Sequence, residues 1–469
     1  MSAPVLPGRL GPIVRDVARR AAARRAESPL AALRREVRPE PARRQRFLDA
    51  LLAGPGPGVI AECKRRSPSA GDLAPGVDLA ERAAAYARGG ASSLSVLTEE
   101  DHFAGSLADL RAVGTTLPRL RKDFLLDEGM VLESAAAGAD AVLLLACVLD
   151  DARLAELRAL AGELGLAVLL EVHDEAELDR ALAVSPDLLG VNARDLTTFR
   201  VDPERAAELL ARVPDAVPAV AESGIRSAAD VRRAAAAGAR AVLVGETLMR
   251  APRPDAVLRG WRSQFAPPRT KVCGLTREQD VAAAVAAGAD AVGLVFAPAS
   301  PRVVTPTRGA ALAAVASDAL VVGVFAGVTR GEAERIAAEV GLHAVQLCGD
   351  ERPADFADFP LPVWRRLPVD AVTGPREAAA WRDVAALFVL DHPAAAGGTG
   401  RRVELEVAAR LAADLPCLLA GGLDAAALPA AAAAGALGFD ASSALESAPG
   451  RKDPERVRAF VRTAHELLA

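Results

Sequence analysis

The chain has 469 residues, with 56 basic and 61 acidic side chains and a formal charge of −5. Its weak net acidity argues against a nucleic-acid partner, which would need a basic face, and its 51% hydrophobic content supports a sizeable core. No apolar run approaches the roughly 18 residues that a membrane span requires.

The N-terminus (MSAPVLPGRLGPIVRDVARRAAARRAES) is Arg-rich and lacks the apolar core and small-residue cleavage site of a signal peptide. With Asp16 and Glu27 inside it, the segment reads as a helical N-terminal extension. Beyond it a short pattern repeats: AAAGADAVLLLA (135–146), AAAAGARAVLVG (234–245), AAVAAGADAVGLVF (283–296) and AAAAGALGFDAS (431–442). Each reads as the end of an Ala-rich helix, a Gly at its C-terminus, then a buried strand. Strand ends are predicted near Lys64, Thr98, Lys122, Ala146, Glu171, Asn192, Glu222 and Gly245. A second series is predicted to end near Cys273, Phe296, Phe325, Leu347, Arg365, Asp391, Ala420 and Asp440. The spacing suits βα units around parallel sheets. The fold class predicted is α/β, as two consecutive (β/α)₈ TIM barrels, residues 1–267 with the helical extension and residues 268–469. A doubly wound open sheet is the rival, but no G-x-G-x-x-G follows the first strand.

The five cysteines (Cys63, Cys147, Cys273, Cys348, Cys417) are widely spaced and without a C-x-x-C pair, which fits a reducing, cytoplasmic setting. The histidines show no H-x-x-x-H pattern, so no metal site is expected.

Barrel active sites lie at the C-terminal ends of the strands, where polar residues need a reason to interrupt an apolar run. In the first half those ends carry Glu62 and Lys64, Lys122, Glu171 and His173, Asn192 and Arg194, and Glu222. Two lysines, three acids and an Asn at one rim suit an anionic substrate and proton transfer. Ser67 in its loop with Ser69, Ser223-Gly224 after strand seven and Gly245-Glu246 after strand eight offer donors to a phosphate. Glu246 is expected to contribute only its backbone N–H, with the carboxylate turned away.

The second half repeats the plan. Cys273 ends its first strand, and Gln346, Asp391, Gly421-Gly422, Asp440 and Ser442-Ser443 stand at later ends. A thiol and a carboxylate facing each other across a rim can act as base and acid. Arg302 follows strand two and could clamp a carboxylate with two parallel bonds.

AECKRRSPSAG, LRKDFLLDE, LLEVHDEAEL, GVNARDLTTF and VAESGIRS, in this order, resemble indole-3-glycerol-phosphate synthase over about residues 10–265. The resemblance implies a substrate, 1-(2-carboxyphenylamino)-1-deoxyribulose 5-phosphate, whose indole ring closes with loss of CO₂ and water. It implies Lys122 as the acid for ring closure, Glu171 as the acid–base group of dehydration and Glu62 as an assisting carboxylate. Lys64 would pair with the anthranilate carboxylate, and Asn192, Arg194 and Glu222 would orient the intermediate. Phe103 and Phe124 would pack on the aromatic ring.

KVCGLT, the SPR triplet, VQLCGD, VLD, GGTG, LLAGGL and DASSALE resemble phosphoribosylanthranilate isomerase over about residues 269–469. That implies an Amadori rearrangement producing the first half's substrate. Asp391 would protonate the furanose oxygen, Cys273 as thiolate would remove the C2 proton, and Arg302 would hold the anthranilate carboxylate. Cys348 stands where that family usually has His, and the string after GGTG lacks its F-D-W. The partners expected are therefore phosphorylated, anthranilate-derived small molecules, met by a monomer without cofactor. The alternatives are an active synthase beside a degenerate isomerase, a histidine-pathway isomerase, which would be expected to end strand one in Asp, and an enzymatically silent scaffold.

Overall fold

The computed structural model describes residues 10–68, 70–195, 198–393 and 401–468. The chain divides into two compact units, one of residues up to 226 with 230–258, the other of 227–229 with residues from 259 onward. Each contains one closed, eight-stranded barrel.

The first barrel comprises β1 (Gly58–Cys63), β2 (Ser93–Leu97), β3 (Arg119–Lys122), β4 (Ala141–Leu145), β5 (Ala167–Val172), β6 (Leu188–Asn192), β7 (Ala219–Glu222) and β8 (Ala239–Val244). Neighbours pair in parallel, and β8 closes on β1 from Gly58↔Ala241 to Ala61↔Val244. Runs such as AVLLL and AVLLEV are buried along their whole length, as strands covered by helices on one side and packed into a barrel on the other must be. The strands lead into loops that end on helix N-caps. The side chains of Asp78, Ser106, Asp127, Asp150, Asp174 and Asp202 each accept a backbone N–H of the following helix. These caps fix where each loop stops, so the polar strand ends face one rim.

Among the described residues three helices precede the barrel: α1 (Leu10–Glu27), α2 (Leu30–Glu36) and α3 (Ala42–Leu52). The expected N-terminal extension is therefore helical over its described part. On α3, Phe47 and Leu51 are buried, and Arg44 and Arg46 pair with Asp187 and Asp140, which precede β6 and β4. This helix thus covers the end of the barrel opposite the polar rim. Gly58 begins β1 without a side chain because a Cβ there would collide with the Leu51 carbonyl.

The second barrel comprises β9 (Thr270–Cys273), β10 (Ala291–Val295), β11 (Leu320–Phe325), β12 (Ala344–Leu347), β13 (Val363–Pro368), β14 (Ala385–Asp391), β15 (Cys417–Leu419) and β16 (Gly438–Ala441). All pairs are again parallel, and β16 closes on β9. One predicted end needs correction. The fifth strand runs beyond Arg365 to Pro368, held by register pairs as far as Pro368↔Asp391. Alternation then sends Trp364 into the barrel core and Arg365 outward. There Arg365 donates to Gly349 O at 2.8 Å, pairs with Glu351 and Glu377, and lies 4.9 Å from the Trp381 ring centroid.

The first barrel also buries an outward-facing charge. Arg121 on β3 is 1% exposed and donates to Thr98 Oγ1 at 3.0 Å, Asp123 Oδ2 at 3.0 Å and the Met130 carbonyl at 2.8 Å. It therefore ties β3 to the end of β2 and to helix Glu128–Ala136. Removing it takes the cation away from the buried Asp123 carboxylate, which would keep only the Thr98 hydroxyl and the Phe124 N–H. Arg121→Ala is expected to destabilise the first barrel by about 3 kcal/mol, read as a lower denaturant midpoint. An unchanged midpoint would show that this network contributes nothing net.

Candidate active sites at the two barrel rims

In the first barrel, β3, β6 and β7 end in Lys122, Asn192 and Glu222, and Glu171 is the last residue but one of β5. The pairing Asn192↔Glu222, together with Glu171↔Gly190, brings these ends to one level. Lys122 Nζ donates to Glu171 Oε2 and to Glu222 Oε2, each at 2.8 Å, and Asn192 Nδ2 donates to Glu171 Oε1 at 2.8 Å. Gly190 leaves the room that Glu222 needs, since a Cβ there would collide with Glu222 Oε1. That oxygen is buried and has no hydrogen-bond partner among the described residues.

Two carboxylates around one ammonium cannot be electrostatically equivalent. Burial works against the charge on Lys122, but Glu171, Glu222 and Glu62 hold its pKa above the ordinary lysine value. Burial also works against a charged Glu171, yet Lys122 and His173 hold its carboxyl well below the usual range. Glu222 goes the other way: burial, reinforced by the neighbouring Glu171 charge, pushes it up to about 8. The trio thus combines a fixed carboxylate, a fixed ammonium and a carboxyl that keeps its proton near neutrality.

At the end of β1, Lys64 Nζ lies 2.5 Å from Glu62 Oε1. Gly245 makes space for this pair, because a Cβ there would meet Glu62 and stand 2.9 Å from Lys64 Nζ. All six of these polar side chains line one cavity of about 640 Å³, with Phe103 and Phe124 in its wall. The two rings stand 6.4 Å apart between centroids and are tilted by 43°. Ser67, Ser223, Gly224, Gly245 and Glu246 line the same cavity. Ser223 and Gly224 both have positive φ, 63° and 79°, a left-handed pair that curls the chain just after β7. The Glu246 carboxylate accepts from Arg250 Nε at 3.1 Å, so it is engaged along its own helix. The Arg194 side chain also reaches the cavity, but its Nη1 donates to Phe199 O at 3.1 Å. Ser69 lies outside the described residues.

In the second barrel, Cys273 ends β9 and Asp391 ends β14, so parallel strands deliver both to one rim. Cys273 pairs in register with Gly293, where a Cβ would stand 2.7 Å from Sγ; the bare glycine makes room for the thiol. Burial raises the thiol pKa and the Lys271 ammonium opposes that rise. Lys271, two residues earlier, is fully buried and donates to Asp440 Oδ2 at 2.8 Å. Asp391 is also pushed up by burial, with the His392 N–H and the Arg366 guanidinium pulling the other way. Its Oδ1 accepts the His392 N–H at 2.8 Å, and Oδ2 lies 3.7 Å from Arg366 Nε. A Cβ on Gly421 would stand 3.4 Å from Asp391 Oδ1, which places the turn of Gly421 and Gly422 beside the acid. Gln346 is buried, with Nε2 3.5 Å from Cys348 Sγ. Ser442 and Ser443 follow β16, and Ser442 Oγ faces Gly274.

Arg302 is not the open clamp expected from the sequence. Its Nε and Nη2 donate to the two carboxylate oxygens of Glu446, each at 2.8 Å, so the two-pronged grip is already closed on the protein. Glu446 in turn accepts from Lys452 at 2.9 Å. The GGTG string, residues 397–400, lies outside the described residues.

Sequence reasoning missed Lys271 and Arg366. Strand alternation could have found both: Lys271 shares a face with Cys273, and of the adjacent arginines 365 and 366 one must point inward. It placed His173 at its strand end but did not join it to Cys147 and Glu177; the candidate ligand atoms of these three lie within 4.8 Å of one another, although no metal site was expected.

Comparison with known proteins decides what these rims belong to. The family of indole-3-glycerol phosphate synthase matches residues 10–260, and that of N-(5'phosphoribosyl)anthranilate (PRA) isomerase matches residues 270–463. The tryptophan biosynthesis protein TrpCF of Yersinia pestis is 36% identical over 466 residues, covering 95% of this chain and 92% of its own. The chain belongs to this two-barrel synthase–isomerase family. An indole-3-glycerol phosphate synthase of a Nocardioides species is 52% identical over 206 residues, 44% of this chain and 79% of its own. The structure of phosphoribosyl anthranilate isomerase from Thermus thermophilus is 32% identical, covering 42% of this chain and 99% of its own, with a TM-score of 0.40.

In the synthase barrel the raised pKa of Glu222 has a consequence for stability. A carboxyl that titrates at 4.5 when unfolded and near 8 when folded stabilises the fold below 4.5, and that contribution is lost as pH rises through about 8. Glu222→Gln is therefore expected to gain in unfolding temperature relative to the native chain over this interval. A difference that stays constant with pH would show that Glu222 holds no buried proton.

Proposed function

We infer that the chain catalyses two consecutive steps of tryptophan biosynthesis. The second barrel isomerises N-(5-phosphoribosyl)anthranilate to 1-(2-carboxyphenylamino)-1-deoxyribulose 5-phosphate. The first barrel converts that product to indole-3-glycerol phosphate, releasing CO₂ and water. The observation that carries the reading is Lys122 held between Glu171 and Glu222 in an aromatic-walled cavity.

In the synthase, Lys122 gives its proton to the substrate carbonyl oxygen as the ring carbon attacks, and CO₂ then leaves. Glu171, kept ionised, takes the proton that the ring loses on dehydration and hands it to the departing hydroxyl, which leaves as water. Glu62 assists, and Lys64 exchanges part of its pairing with Glu62 for the anthranilate carboxylate. Asn192, Arg194 and Glu222 orient the intermediate. Phe124 packs on the aromatic ring, and Ser67, the curled Ser223-Gly224 and the N–H groups of Gly245 and Glu246 receive the phosphate.

In the isomerase, Asp391 protonates the furanose oxygen, a task favoured by burial, which raises the pKa of its carboxyl. Cys273 as thiolate removes the C2 proton, and Lys271 beneath it supports the charge. Gln346 and Asp440 line the substrate, and Gly421, Gly422, Ser442 and Ser443 take its phosphate. Arg302 reaches the anthranilate carboxylate when Glu446 yields part of its grip. Proton transfers and decarboxylation account for both reactions without a cofactor. We place the junction between barrels at Pro267–Pro268, and the protein as a monomer in the cytoplasm. Five free thiols suit that compartment. Among the described residues no helix is long and apolar enough to cross a membrane.

Fluorescence of the anthranilate moiety reports each step in the intact chain. Lys122→Ala is expected to lower synthase turnover on the order of 10²–10⁴-fold and leave the isomerase unchanged. Equal loss of both activities would refute the division of labour. Cys273→Ala should stop the isomerase alone, and full turnover in that variant would remove the thiol from the mechanism.

A further inference from the structure

Behind the synthase rim lies a charged cluster to which no step above assigns a task. His173 follows β5, two residues after Glu171, and is only 12% exposed at its side chain. Its Nδ1 lies 3.0 Å from Glu177 Oε2, and the same oxygen accepts the His173 backbone N–H at 2.8 Å. Glu177 is fixed by the start of its helix, Glu175–Ala183. Asp174 is the N-cap and accepts the Glu177 N–H at 2.9 Å, so Glu177 sits at the third helical position and reaches back over the cap. With Nδ1 anchored, the ring turns Nε2 towards Glu171, 3.3 Å from Oε1 and off the line of a well-formed hydrogen bond.

We propose that His173 is a positioning residue of the synthase: Glu177 orients its ring, and Nε2 then fixes the angle and the ionised state of the Glu171 carboxylate. The proposal rests on the reading of Glu171 as the acid–base group. Lys122 and Asn192 hold Glu171 from the cavity side, and His173 is the contact from behind. Lys122 holds Oε2 and Asn192 holds Oε1, and the imidazole adds a second contact at Oε1 that limits the tilt two donors on one side leave open. A carboxylate on Nδ1 fixes the orientation of the imidazole and so what its Nε2 presents to the working group.

The surroundings agree. Burial opposes charge on the ring, but Cys147, Glu171 and Glu177 hold it protonated, with its pKa pushed up to about 12. Cys147 faces the ring from the end of β4, and burial raises its thiol pKa. A separate cavity of about 320 Å³ opens on the ring, with Asp174, Asp195, Asp202 and Arg205 as its other charged walls. The spacing of Cys147, His173 and Glu177 would by itself suit a cation, and the protonated imidazole already serves as that cation.

The test is steady-state synthase kinetics across pH in the intact chain, for His173→Asn, Glu177→Gln and, as reference, Glu171→Gln. His173→Asn is expected to lower kcat on the order of 10²-fold with little change in KM, the scale of a misplaced reacting group. The acid limb of its kcat profile should move to higher pH, because Glu171 loses a positive neighbour that lowers its pKa. Glu177→Gln should move the limb the same way by less. His173→Gly should regain turnover with added imidazole, which the neighbouring cavity can admit. Native kcat with an unmoved limb in His173→Asn would overturn the proposal. If that variant fails to fold, an unmoved limb in Glu177→Gln overturns it equally. Native turnover in Glu171→Gln would instead sink the reading of Glu171.

Discussion

One ammonium between two carboxylates organises the first barrel's rim. Lys122 reaches Glu171 and Glu222 at equal distance, yet the surroundings separate the two acids. Asn192 and His173 add further support to Glu171, while Glu222 has a buried oxygen with no partner among the described residues. The electrostatic outcome is an acid and a base held side by side without neutralising each other. Such a pair is expensive to bury unless every remaining lone pair is met or a proton stays on. Gly190 and Gly245 take part in this by being bare, since a side chain at either would displace a carboxylate.

The second rim solves a similar problem with fewer charges. Its buried cation, Lys271, sits a layer deeper, paired with Asp440 beneath Cys273. Its acid, Asp391, has its pKa raised chiefly by burial, with Arg366 at a distance that tempers the shift without closing a salt bridge of hydrogen-bond length. Both barrels place glycine beside the reactive side chain: Gly190 and Gly245 in one, Gly293 and Gly421 in the other. The shared logic follows from parallel strands, whose last inward residues must share a crowded mouth.

Much of this is legible in the sequence. The repeating helix–glycine–strand pattern predicted sixteen strands, and sixteen form the two barrels. The ends of β3, β6, β7, β9 and β14 fall on the residues named from the sequence. Polar residues interrupting apolar runs marked the rim because burial on both faces forbids them elsewhere. The exception is β13, which continues past the expected end at Arg365 to Pro368. In the barrel one arginine is sheltered outside by Glu351, Glu377 and Trp381, and the other faces the rim.

Composition, strand spacing and local motifs determined the fold class, the number of barrels and which side chains gather at each mouth, since these depend on periodicity along the chain. Partnership was decided only by tertiary structure. No spacing in the sequence shows that Arg302 is held by Glu446, 144 residues away, or that Glu222 rather than Glu171 keeps the proton. Charge states and hydrogen-bond partners follow from distance and burial in three dimensions, and closing a barrel sets those for residues far apart in the chain.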